Sequence, residues 1–373
     1  MKEKRLIAID AFCGAGGLSL GLYKAGFKII GGFDIDPICI KTLKNNKKYI
    51  KHQVFEADIK EMLSGNLLKV LGIKSNKVHL LAGGPPCQGF SVQRTIGGDH
   101  DSRNLLVDDY ADLISEIMPQ FFLLENVTGI GGKRGKEIME RFKLKISLKG
   151  YYLHEKILDA QNYGVPQRRK RYILVGELLN NHAPFFKWPS PLESQRLTVR
   201  DVISHLPSAP IGKDHVNFPG HRADKLSSKN LSRIRMLRSG ETRVNLPEEL
   251  LADCHKKSAN LIGHRNVYGR MDWDEVAPTI TARFDSFTRG KFGHPEQDRS
   301  ISLYEGSLLQ TFPDDYIFIG NKVEIARQIG NAVPPEFAAA LGVSIIKALK
   351  EHEEQDGLRK ANATISKVVS NCL

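Results

Sequence analysis

Short apolar runs alternate with longer amphipathic stretches through the first half of the chain. Residues 6–10, 28–34, 78–82, 121–125 and 172–176 are compact apolar runs bounded by Gly, Pro or Asp, the pattern of buried strands. Between them, residues 18–25, 37–45 and 105–118 place apolar side chains at helical spacing, and Pro37 stands where a helix would begin. Strands alternating with helices predict an α/β fold: a mixed, mostly parallel sheet with helices on both faces. Ligands of such sheets lie beyond the carboxyl ends of the strands. After about residue 177 the texture changes to Pro, Gly, Ser, Arg and His with only brief apolar runs. Helical periodicity returns over 335–349, and 351–373 reads as a polar tail. The expected organisation is therefore 1–176 as the main α/β domain, 177–298 as a smaller irregular domain, 299–350 as a returning segment that completes the first domain, and then the tail.

Composition narrows the class. The chain of 373 residues is long enough for one large domain or two, and its formal net charge of +12 points toward nucleic acid. The surplus is uneven: +10 on residues 1–176, +3 on 177–298 and −1 on 299–373. The five cysteines, Cys13, Cys39, Cys87, Cys254 and Cys372, form no C-x-x-C pair and no metal-ligand spacing. No metal and no disulfide framework are expected. The first ten residues read as a strand rather than a leader, and no purely apolar run reaches the ~18 residues that span a bilayer. A reduced, intracellular (cytoplasmic) protein without a membrane partner is expected.

Two loops carry chemistry. Asp10-Ala-Phe12-Cys-Gly14-Ala-Gly16-Gly17-Leu18-Ser19-Leu-Gly21 joins a predicted strand to a predicted helix. Glycines there let the backbone approach a ligand, and a helix start offers free N–H groups. Asp34 ends the next strand, where a carboxylate accepts from ribose hydroxyls. A tight strand–helix turn without ligand is the alternative. Ser19 at the third glycine position departs from the dinucleotide pattern and counts against a nicotinamide or flavin oxidoreductase. Asp58 is open between an adenine contact and a helix cap. The second loop, Ala82-Gly-Gly-Pro85-Pro86-Cys87-Gln-Gly-Phe-Ser91, sets a cysteine in a polar Gly/Pro segment just past a strand, which favours a nucleophile over a packed core thiol.

The second loop resembles the catalytic segment of DNA (cytosine-5) methyltransferases of the bacterial restriction-modification type, which use S-adenosylmethionine. Other segments are similar to that family in the same order: the glycine loop, Phe121-Phe-Leu-Leu-Glu125-Asn126-Val127, Tyr163-Gly-Val-Pro-Gln167-Arg-Arg169-Lys-Arg171, 299–313, and Gln328-Ile-Gly330-Asn331-Ala332-Val333-Pro334. The resemblance runs from residue 5 to about 348. It implies a Rossmann-like methyltransferase domain with a target recognition domain, and Cys87 as the nucleophile toward C6 of a flipped cytosine. It places Glu125 at the ring N3, Asn126 as a holder of loop geometry, and Arg169 and Arg171 on phosphate or the ring carbonyl. For the cofactor it implies Phe12, Gly14, Gly16, Gly17 and Leu18 at the methionine end. Asp34 falls on ribose, Ile35 on adenine, and Asp58 on the adenine amino group with Ile59 and Pro86 nearby. Leu106 and the backbone near Asn331 and Ala332 close the pocket. Ile35 stands where an aromatic is common. Residues 225–243, with six basic residues and one acidic residue, fit phosphate contact or a solvated loop. The expected partner is duplex DNA, bound by a monomer, with a cognate restriction endonuclease acting separately. The alternatives are a tRNA cytosine-5 methyltransferase, which shares the catalytic segments, and a DNA-binding module without activity.

Overall fold

The sheet is built from strands whose side chains are buried on both faces. In β5 (Phe121–Val127), Phe121 and Leu123 enter one core while Phe122 and Leu124 enter the other. A continuous apolar run is what a doubly covered strand requires. The structure is a computed structural model and describes residues 6–86, 105–132, 135–179, 182–193, 196–253 and 266–370. Seven strands stand in the order β3-β2-β1-β4-β5-β7-β6. They are β1 (Ile7–Ala11), β2 (Lys28–Asp34), β3 (Gln53–Glu56), β4 (Leu80–Gly83), β5, β6 (Tyr151–Asp159) and β7 (Lys170–Leu178). The first five pair in parallel, and β7 runs antiparallel to both of its neighbours. The sheet is thus α/β, mixed and mostly parallel. Gly176 in β7 is required by packing, because a Cβ there would lie 1.8 Å from the Phe122 ring.

One face is covered by α5 (Leu105–Ile117) and α6 (Lys136–Ser147), which bring Tyr110, Ile114 and Phe142 against Ile9, Leu81 and Phe122. The other face is covered by α1 (Gly17–Ala25) and the last helix, with Leu22, Phe337, Leu341 and Ile345 against Ala8, Leu80 and Val175. The edge strands β3 and β6 carry charged, partly exposed residues, which masks their alternation in sequence.

Beyond β7 the described residues add no strand to the sheet. Short helices α7 (Val199–Ile203) and α8 (Ser228–Met236) sit among turns. A separate core joins Val199, Met271, Ile280 and Phe284 with Ile301, Leu309 and Ile329, residues from α9 (Leu303–Leu309) and α10 (Lys322–Asn331) among them. The final helix, α11 (Pro335–Ser370), runs well past the apolar stretch read from sequence, so the expected tail continues a helix through Ser370. His352 on it is still buried, at 1% exposed. Residues 322–359 include an 18-residue window apolar enough by length and composition to cross a membrane, but 61% of that window is buried inside the protein. Phe337, Leu341 and Leu349 are core residues there.

Candidate active site

The glycine loop lies at the carboxyl end of β1, where the strand order turns outward to β2 on one side and β4 on the other, the crevice that receives ligands in such sheets. Its glycines answer different demands. Gly14 has φ +50°, and no atom of the described residues lies within 4 Å of where its Cβ would be. Gly16 (φ +87°) has no room for a side chain, since a Cβ would meet Leu43 at 2.6 Å. Gly17 lets α1 close on the Val333 carbonyl, 2.2 Å from where its Cβ would be. Phe12 also takes a left-handed backbone conformation (φ +56°), and its ring lies 6.0 Å from those of Phe33 and Tyr110. Leu18 points into the core under the sheet.

Asp34 closes this loop. Its carboxylate accepts from the Gly14 amide at 2.8 Å and from the Asp36 amide at 2.9 Å. Burial raises its pKa above the ordinary value, opposed by those two amide bonds. The adjoining Ile35 is 66% exposed, an apolar side chain with no cover beside a backbone cradle. Asp58 caps the short α3 (Ile59–Met62) by accepting from the Lys60 amide at 2.9 Å, and Ile59 is buried in the core. Leu106 is half-buried, Pro86 and Asn331 are exposed, and Ala332 ends α10. The Gly14 backbone, the Asp34 acceptor and the bare Ile35 fit a nucleoside cofactor with an apolar base.

A second cluster stands at the carboxyl end of β5. Glu125 is nearly buried, and Arg171 of β7 brings its Nε to 2.9 Å from Glu125 Oε1. The pair is close, yet the N–H is not aligned on that oxygen, which accepts no hydrogen bond from the described residues. Asn126 donates through Nδ2 to the Pro85 carbonyl at 2.9 Å, while its Oδ1 accepts from the Val127 amide at 2.8 Å. The strand end carrying Glu125 is thereby tied to the Pro-Pro segment. Cys87 follows that segment and lies outside the described residues.

Arg169 is placed differently from its sequence reading. Its guanidinium is fully buried and donates to three carbonyls: Ile280 at 3.0 Å, Gly330 at 3.0 Å and Ala332 at 2.8 Å. Burial, with Arg171 nearby, lowers its pKa well below the ordinary arginine value. These bonds direct Arg169 to the protein's own backbone. In the region expected to contact DNA, Arg233 and Arg243 are buried, and Arg233 stacks 4.4 Å from the Tyr268 ring while donating to the Leu250 carbonyl. Lys225, Lys229, Arg235 and Arg238 remain exposed.

Sequence reasoning passed over Asp10. It is fully buried at the end of β1, accepts from Ser19 Oγ at 2.6 Å through Oδ2, and leaves Oδ1 without a partner among the described residues. Burial pushes its pKa up to about 7 against the Ser19 bond, with Asp34 adding to the rise. The signal was available: a carboxylate inside an otherwise apolar strand, and a serine where a glycine was expected.

Fold and site together define an α/β domain with a cofactor crevice at the carboxyl end of its parallel strands. The model of the C-5 cytosine-specific DNA methylase family matches residues 6–347. The Type II methylase M.HgiDII of Herpetosiphon aurantiacus is 37% identical over 93% of this chain and 97% of its own length. The Type II methyltransferase M1.HphI of Haemophilus parahaemolyticus is 33% identical over 92% and 87%. Among solved structures, a prophage-encoded E. coli protein assigned as a DNA modification methyltransferase aligns over 92% of this chain and 99% of its own, with TM-score 0.71 and 25% identity. This chain belongs to the C-5 cytosine-specific DNA methylase family. It is a DNA (cytosine-5-)-methyltransferase of the Type II restriction-modification kind, and S-adenosylmethionine is its methyl donor.

Proposed function

We propose that the enzyme methylates C5 of a cytosine flipped out of a specific duplex DNA sequence, through a covalent Cys87–C6 adduct. The observation that carries this reading is the join between the Glu125–Arg171 pair and the segment entering Cys87, made by Asn126 on the Pro85 carbonyl. It keeps an acid and a cation near the position from which a nucleophile would act.

S-adenosylmethionine supplies an electrophilic methyl group. The chain's residues do the rest. The Cys87 thiolate adds to C6, Glu125 delivers a proton to the ring N3, and C5 becomes a nucleophilic enamine carbon. After C5 is methylated, with S-adenosylhomocysteine left behind, the C5 proton passes to solvent, its bonding pair forms the C5–C6 double bond as the Cys87 Sγ–C6 bond breaks, the N3 proton returns to Glu125, and 5-methylcytosine is released. Arg171 orients Glu125, and its Nη2, without a partner among the described residues, is available to the ring carbonyl. Phe12, Gly14, Gly16 and Asp34 hold the cofactor's methionine and ribose portions, with Ile35 against adenine. Residues 177–298 act as the recognition domain, where Lys225, Lys229, Arg235 and Arg238 meet phosphates. The enzyme acts inside the cell as a monomer, and a separate endonuclease shares its recognition sequence.

Covalent trapping tests this. Duplex DNA containing 5-fluorocytosine is expected to form a stable adduct in the presence of S-adenosylmethionine, and Cys87→Ser to abolish it. An adduct that survives in the serine variant overturns Cys87 as the nucleophile, and methylation of tRNA but not DNA overturns the substrate.

A further inference from the structure

Between the two halves of the site lies a wholly buried polar junction. Arg169 sits where β7 begins, two residues before Arg171. It donates to Ile280, in the region that would read DNA, and to Gly330 and Ala332, in the wall of the cofactor site. Gln167 extends the same junction. Its Oε1 accepts from the Ile280 amide at 3.0 Å, and its Nε2 donates to the Leu309 carbonyl at 2.9 Å and to Gln310 Oε1 at 2.6 Å. Gln310 in turn donates to the carbonyls of Ile329 and Ala332. The two segments that Arg169 bridges touch backbone to backbone: a Cβ on Gly330 would lie 2.2 Å from the Thr281 carbonyl carbon. The backbone before β7 also runs beside the first of them, through Arg168 N to Ala277 O and Ala277 N to Pro166 O, each 2.9 Å.

We infer that Arg169 is a positioning residue: it sets the cofactor wall at Gly330–Ala332 and the recognition region at Ile280 in register with the Glu125–Arg171 pair. A guanidinium suits this place because its fork of donors reaches three carbonyls at once, whereas an ammonium on a single stem reaches fewer in that fixed geometry. The donors lie on one rigid plane, so moving any one carbonyl displaces the others. The inference rests on the methyl-transfer reading above.

The test compares wild type with Arg169→Met, Arg169→Lys and Gly330→Ala. It measures cofactor affinity by calorimetry with S-adenosylmethionine, and methyl incorporation into DNA from a methylation-free host at saturating cofactor, both well below each variant's melting temperature. Misplacing a site by about 1 Å from a distance costs roughly 100-fold in rate. Arg169→Met is expected to lower kcat on that scale and to weaken cofactor binding several-fold, while retention on duplex DNA stays within about twofold, as expected when broad phosphate contacts carry it. Arg169→Lys is expected to recover part of the rate. Gly330→Ala leaves the guanidinium in place but forces the two backbones apart, so it is expected to show the same split and carries the test if the arginine variants do not fold. Folded variants with wild-type cofactor affinity and wild-type kcat overturn the inference. A wild-type enzyme that methylates no DNA overturns the reading beneath it instead.

Discussion

Glu125 and Glu177 lie on neighbouring strands at opposite ends of one antiparallel pairing, in which Phe121 of β5 faces Glu177 of β7 and Val127 faces Arg171. Both are buried. Glu177, at the rear of the sheet, is fully satisfied: His154 Nε2 and His352 Nε2 each approach at 2.8 Å, and the amides of Phe185 and Phe186 donate at 2.7 and 3.1 Å. Glu125, at the front, has a close arginine but an oxygen that accepts no aligned hydrogen bond from the described residues. A buried carboxylate with all its partners holds structure together, whereas Glu125 keeps acceptor capacity that the described residues do not use. Asp10 also faces the front with an oxygen unpartnered among the described residues, while the rear cluster pins the last helix to the sheet through His352 and continues to His182, which meets Asp356 at 2.7 Å.

The largest expected effect breaks the front. Glu125→Gln is expected to slow methylation by roughly 10²–10⁴-fold, the usual worth of a positioned acid, with cofactor affinity and melting temperature near wild type. Equal losses in rate and cofactor affinity would make Glu125 a structural residue and erase the contrast. The next breaks the rear. Glu177→Ala leaves the buried His352 and half-buried His154 imidazoles and two amides without their acceptor and is expected to cost about 3 kcal/mol in denaturant unfolding. Its rate per folded molecule is expected to be unchanged, as a structural carboxylate requires.

The smallest effect is a difference in pH dependence. Burial pushes the Glu177 carboxyl up, but the bonds from His154, His352 and the two amides outweigh it and hold the pKa at about 2, against 4.5 unfolded. A depressed carboxylate stabilises fully above its unfolded pKa and loses that stabilisation as pH falls toward the folded value. Stability is therefore expected to decline between pH 4.5 and 2, and Glu177→Gln to flatten that limb. Asp10 runs the other way. With its pKa raised from 3.8 to about 7, the folded state holds the proton longer, so its contribution falls as pH rises through that interval. Urea midpoints measured across both windows check the two signs, and an unchanged acid limb in Glu177→Gln would remove Glu177 from the account.

How much of this was legible follows from the range of each interaction. The strands β1, β2, β4, β5 and β7, the helices α1, α2 (Pro37–Asn45) and α5, and the turn between β1 and α1 were readable because they rest on local periodicity and on glycine at set positions. The segments carrying Glu125 and Asn126 were readable for the same reason. The edge strands and the full length of α11 were not, since charged residues break their pattern and their burial depends on distant partners such as Glu177 and His352, 175 residues apart. The fates of Arg169 and Arg171 were beyond sequence altogether. They stand two apart in one basic run, yet one reaches carbonyls 111 and 161 residues away while the other reaches Glu125. The sequence by itself determined the alternation of the central strands with their helices and the glycine loop, because these depend on short-range backbone preference and patterning, and the family followed from the resemblance of its motif segments in order. Only the tertiary structure decided which buried charges would be satisfied and which left open, because a charge inside a protein is governed by the atoms packed around it, and those come from anywhere along the chain.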